Sequence, residues 1–180
     1  MSARMGLRRT HLALISPAHP EVRRLLVRQM RALVRDGADA IQLDKVCACT
    51  FLDFNPRLRT SPDRSLTQAM LDVVREIKQA GQKVNPEFAL ASEIHWDRIY
   101  QWVDVTYARM NDIEMTSAAQ RYTFPEWTMT ISAENPFDFN IINNGMRYGF
   151  VWELASRHYN DSMDEAITRP LSRYVRELIR

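Results

Sequence analysis

Ala40-Ile41-Gln42-Leu43-Asp44-Lys45 decides the fold. It is a short apolar run ending in a carboxylate and a cation, with helix-sized patterns on both sides. A run of this kind reads as a strand buried on both faces of a parallel sheet. In such sheets chemistry gathers just past the carboxyl ends of the strands, where Asp44 and Lys45 fall. Immediately upstream, Pro20 suits the first turn of a helix, and Val22, Leu25, Leu26, Met30, Leu33 and Val34 recur at helical spacing. Arg24, Arg28, Arg31 and Arg35 take the opposite side, and Gly37 is placed to end the helix.

Downstream the same alternation continues. Residues 47–64 form a loop holding Phe51, Asp53, Phe54, Asn55 and Pro56. Loops beyond about 12 to 15 residues are uncommon unless functional, so this one is expected to cover the strand mouth. A second amphipathic helix turns Leu66, Met70, Val73, Val74 and Ile77 inward, with Gly81 expected as its stop. Phe88-Ala89-Leu90-Ala91-Ser92-Glu93 is the next strand, residues 96–102 a short helix or turn, and Val103-Asp104-Val105-Thr106-Tyr107-Ala108-Arg109 a further strand. Residues 111–126 show no clear pattern. Trp127-Thr128-Met129-Thr130-Ile131-Ser132 has the aromatic and β-branched character of a strand. Asp138 can cap a helix reaching Tyr148, Phe150-Val151-Trp152-Glu153-Leu154 is the last strand, and a terminal helix near Pro170 carries Leu171, Tyr174, Val175, Leu178 and Ile179. Residues 12–15 are a further short strand candidate.

These elements predict a single α/β domain over residues 1–180, built as the wall of a parallel (β/α) barrel. A complete barrel has eight strands and typically about 250 residues. Five strands are therefore expected to make an incomplete barrel, covering about strands four to eight. An open, doubly wound sheet satisfies the same alternation.

The 180 residues are 46% hydrophobic and 26% charged, ordinary values for a soluble globular chain. Charge is uneven: residues 1–35 hold eight Arg against the single Glu21, leaving 16 cations against 21 anions in the remainder. No aromatic-rich surface accompanies those arginines, so a solvated helix face is expected rather than a nucleic-acid surface. Cys47 and Cys49 stand too close for an easy disulfide and have no further metal-ligand pattern beside them. They point to a reducing, cytoplasmic setting without a metal. No apolar run approaches the roughly 18 to 20 residues of a membrane span. With only five Gly, no Gly-x-Gly-x-x-Gly and no Gly-x-x-x-x-Gly-Lys, no nucleotide cofactor is expected. Neither a Gly-x-Ser-x-Gly elbow nor a His-Glu-x-x-His motif occurs.

What remains is a set of carboxylates at predicted strand ends: Asp44, Glu93, Asp112 and Glu153. Glycoside hydrolysis needs two carboxyl groups flanking the scissile bond, about 5 Å apart for retention and about 6.5 to 9.5 Å for inversion. Strands in a parallel sheet lie about 4.8 Å apart, so acids ending neighbouring strands meet that range. Asp44 is expected as nucleophile, kept ionised by Lys45. Glu93 is expected as acid/base, desolvated by Trp96 and other apolar groups. Trp96 and Trp152 offer flat faces for sugar C–H stacking, His95 and Arg109 offer hydroxyl ligands, and Glu153 completes the candidate binding set. Each acid has an ordinary alternative, as a helix cap or as the partner of a cation.

Two stretches resemble a known family group. Pro17-Ala18-His19-Pro20-Glu21-Val22 followed by Gly37-Ala38-Asp39-Ala40-Ile41-Gln42-Leu43-Asp44-Lys45 is similar to the segment of alpha-galactosidase-like and related glycoside hydrolase barrels in which a helix leads into the fourth strand. Ala89-Leu90-Ala91-Ser92-Glu93-Ile94-His95-Trp96-Asp97, with residues 103–109, resembles their fifth and sixth strands. The likeness spans roughly residues 16–155. It implies a (β/α)₈ hydrolase of glycosidic bonds, a carbohydrate substrate and Asp44 as nucleophile. It also implies an acid/base after the sixth strand, which points to Asp112, whereas this sequence offers the more prominent Glu93 after the fifth. The first three barrel strands have no counterpart here. The expectation is a fragment, or a half-barrel closed by a second copy or a complementing chain. A non-catalytic carbohydrate-binding or assembly module derived from such a barrel is the alternative.

Overall fold

Local sequence sets the first helix. Pro20 sits in its first turn, where a missing N–H costs nothing, and the Nδ1 of His19 accepts from the Glu21 N–H at 3.4 Å. Gly37, at φ 105°, lets the chain leave the helix in a left-handed conformation and turn into the first strand. In this computed structural model the described residues are 15–44, 52–58, 61–93, 96–108, 116–133, 138–154 and 169–179. In order they form α1 (Pro20–Arg35), β1 (Ala40–Leu43), α2 (Pro62–Gln82), β2 (Ala89–Glu93), a 3₁₀ turn (Asp97–Ile99), β3 (Val105–Ala108), α3 (Thr116–Thr123), β4 (Thr128–Ala133), α4 (Phe139–Tyr148), β5 (Val151–Leu154) and α5 (Arg169–Leu178). The strand expected at residues 12–15 falls mostly outside the described residues, and Ile15 itself is not in a strand.

All four strand pairings are parallel and the order across the sheet is β1-β2-β3-β4-β5. A doubly wound sheet reverses its order at a switch point, and this sheet has none. Crossovers between parallel strands are almost always right-handed, so a sequential order puts every connecting element on the same face. Burial follows that rule. Leu43, Ser92, Thr106 and Met129 stand side by side in the register and are all nearly inaccessible, with Ser92 and Thr106 at 0% exposure. One residue earlier, Gln42, Ala91, Val105 and Thr128 form the row that points the other way, and none of the four is buried. Helices therefore cover one face, and the described residues leave the other uncovered.

The covered face holds the core. Val74, Ile77, Phe88, Leu90, Ile99, Tyr100, Val103, Met129 and Ile131 pack into one cluster, and Ala133, Ile142 and Leu171 into a second. Each fully buried aliphatic side chain contributes on the order of 2 kcal/mol, and these faces are what hold α1, α2 and α4 on the sheet. At the amino-terminal edge of the sheet, the Lys78 ammonium donates to Asp104 Oδ2 at 2.6 Å and to the Phe88 carbonyl at 2.7 Å. Asp104 Oδ2 also accepts from the Leu90 N–H, so this ion pair ties α2 to the entrances of β2 and β3.

Gly81 departs from expectation. It lies inside α2, which runs on to Gln82, and a Cβ there would overlap the Phe88 ring. Its absent side chain serves close packing rather than helix termination.

Candidate functional site

At the carboxyl-terminal rim of the sheet, Asp44 follows β1, Glu93 ends β2 and Glu153 stands near the end of β5. Leu43 pairs with Ser92, so Asp44, one residue on, is in step with Glu93, the last residue of β2. Glu93 is 4% exposed and pairs in turn with Tyr107, which pairs with Thr130. By strand alternation this row belongs to the face the helices leave uncovered. Asp44 lies in the turn after β1 and is exposed. Neighbouring parallel strands lie about 4.8 Å apart, so the Asp44 and Glu93 positions are adjacent along the rim.

Two strands further along the same rim, Ser132 pairs with Glu153, and the Ser132 hydroxyl donates to Glu153 Oε2 at 2.6 Å. Ser132 is 2% exposed whereas Glu153 is open to solvent, so a buried donor fixes an accessible carboxylate. That face thus carries Glu93, Tyr107, Thr130, Ser132 and Glu153 toward one end, with Glu93 and Ser132 buried, Tyr107 and Thr130 partly buried and Glu153 exposed.

The tryptophans behave differently. Trp152 belongs to the opposite face from Glu153: it packs against Gly145, where a Cβ would overlap the indole, and its Nε1 donates to the Ile142 carbonyl at 3.1 Å. That placement makes it a packing residue and corrects the expectation of a sugar-stacking face. Trp96 is partly buried against the main core cluster at the start of the 3₁₀ turn. Lys45, His95, Arg109 and Asp112 lie outside the described residues.

Part of the loop after β1 is described. Asp53 Oδ1 accepts from the Asn55 N–H and Asn55 Oδ1 from the Arg57 N–H, both at 3.0 Å, forming successive side-chain turns that leave Phe54 72% exposed. The Ser16 hydroxyl beside it, and then the Asn55 N–H, hold the Asp53 carboxyl below the ordinary carboxylate range.

The chain matches no protein-family model, and no curated protein scores as similar to it. Among the described residues no group of three or more His, Cys, Asp or Glu is arranged to hold a metal ion, and no helix is long and apolar enough to cross a membrane. Sequence reasoning missed Tyr107 and Ser132 as site residues. The alternation along Val105-Thr106-Tyr107 carried a signal for the first, because Tyr107 had to share a face with Val105. Nothing in the sequence carried the second, since the Ser132 contact depends on the β4–β5 register.

Proposed function

We propose that this chain is the wall of a (β/α) barrel that hydrolyses a glycosidic bond, with Asp44 as nucleophile and Glu93 as acid/base. The observation that supports it is the in-step position of the two acids at the carboxyl ends of adjacent parallel strands, with Glu93 buried on the helix-free side. In the first step an Asp44 carboxylate oxygen bonds to the anomeric carbon while Glu93 protonates the departing glycosidic oxygen. In the second, Glu93 takes a proton from water, whose oxygen displaces Asp44 and restores both groups. Glu93 is assigned the acid/base role because it ends the strand next to Asp44. Glu153, held by Ser132, accepts from a sugar hydroxyl beside the reacting ring. Asp112 is the alternative acid/base, and Lys45, His95 and Arg109 are the proposed polar ligands of the sugar.

The uncovered face fits a barrel interior whose remaining strands come from a second copy, a complementing chain or further polypeptide. A carbohydrate is then the partner, and a reducing cytoplasmic compartment suits Cys47 and Cys49. Asp44→Asn is expected to cut turnover of an aryl-glycoside panel by a factor on the order of 10³ or more, with circular dichroism and melting unchanged. Glu93→Gln is expected to spare substrates with acidic leaving groups. Full activity in the Asp44 variant overturns the assignment. The exposure of Asp44 favours a second reading, a carbohydrate-binding module without hydrolysis, which predicts saturable sugar binding with no released product.

A further inference from the structure

Between α1 and α2, on the side away from the sheet, lies a groove of about 600 Å³. Arg24, Arg28, Arg31 and Arg35 line it from α1 and Lys83 from the end of α2, with Glu76 the single acid in the lining. Glu76 is itself 3.7 Å from Arg23, which also pairs with Asp72 at 3.5 Å, so the acids along this seam are engaged by a cation outside the groove. Among the described residues none of the five lining cations has an ion-pair partner. Four guanidinium groups at i, i+4, i+7 and i+11 follow one side of α1 over roughly 16 Å and repel one another. The groove collects positive charge that the described residues offset only through Glu76, itself shared with Arg23.

We propose that this groove binds a small polyvalent oxyanion, carrying two or more phosphate or sulfate groups. Guanidinium forks match such groups bidentately, and successive arginines one turn apart offer them to successive anionic centres. Ala32 and Ala80 in the lining keep the groove open enough for the anion to sit between the helices. The volume falls in the range of about 300 to 1,000 Å³ that small ligands occupy. A single-stranded nucleic acid is disfavoured because, among the described residues, no aromatic side chain lines the groove, and stacking platforms are what such strands use. The site is separate from the acid-bearing rim. α1 ends where the chain turns into β1, so Arg35 and Lys83 mark the amino-terminal end of the sheet, opposite Asp44 and Glu93.

Isothermal titration of the whole chain with inorganic tripolyphosphate, and separately with a sulfated disaccharide, tests this and distinguishes phosphate from sulfate. Saturable one-site binding is expected at low ionic strength, weakening as salt is raised. The double change Arg28→Glu and Arg31→Glu is expected to weaken it at least ten-fold, whereas Arg98→Glu and Asp44→Asn leave it unchanged. Arg28→Gln with Arg31→Gln gives the same loss without charge reversal, and unchanged melting of either pair confirms a folded protein. Absence of saturable binding to both probes, binding that survives the paired substitutions, or tighter binding of a single-stranded oligonucleotide overturns the proposal.

Discussion

Tyr100 shows how one buried polar group couples to the solvent. Its ring is 3% exposed, stacked on Trp127 with centroids 4.9 Å apart and edge-on to Phe124 at the same distance, and its hydroxyl is buried beside Thr106. Burial pushes the phenol up to about 12, with nearby Thr106 opposing and the Asp97 carboxylate adding to the shift. Below about pH 10 the phenol is protonated in folded and unfolded chains alike, so it costs nothing. Between about 10 and about 12 only the unfolded chain ionises, and stability falls by up to about 1.4 kcal/mol per pH unit. Denaturant melts across that window are expected to show the loss, and Tyr100→Phe to reduce it. Trp152 and Glu153 carry a second lesson at this scale. Adjacent strand residues face opposite ways, so the two were never able to serve one ligand together, and only pairing with β4 decides which of them joins the acids.

At the level of elements, the close approach of α2 to the start of β2 is the most exacting contact. Gly81→Ala would gain about 1 kcal/mol of helix propensity in isolation. Here the added methyl meets the Phe88 ring, itself 1% exposed, and overpacking of this kind costs about 1 to 3 kcal/mol. A net fall in melting temperature is expected, and recovery in the Gly81→Ala, Phe88→Leu double variant would trace it to that contact. The helices α1 and α2 were legible because each has an apolar stripe several turns long, with Pro20 marking the start of α1; α2 begins at Pro62, inside the stretch read as loop. α3 was not, because Thr116–Thr123 spans barely two turns and has no such stripe. Gly81 misled for a related reason: a glycine near the end of an apolar pattern looks the same whether it stops a helix or makes room for a neighbour.

For the molecule as a whole, alternating patterns predicted five parallel strands, and five are present among the described residues. Strand order was not legible, because periodicity reports which face of an element is apolar and says nothing of which strands adjoin. The acids at the rim were legible as the ends of strands. Their alignment was not, because register depends on pairings spread over the length of the chain. Parallel sheets usually demand contacts between distant parts of a chain. Among the described residues each strand of this one pairs only with the strands next to it in sequence. The wall can therefore grow in the order of synthesis, each new strand docking on the one that last left the ribosome. Among the described residues the outer members, β1 and β5, each have one hydrogen-bonded neighbour, whereas β2, β3 and β4 have two. Amide exchange is expected to be slowest at the centre of the wall and fastest at its margins, and equal protection across all five would mean that partners outside the described residues already occupy those margins.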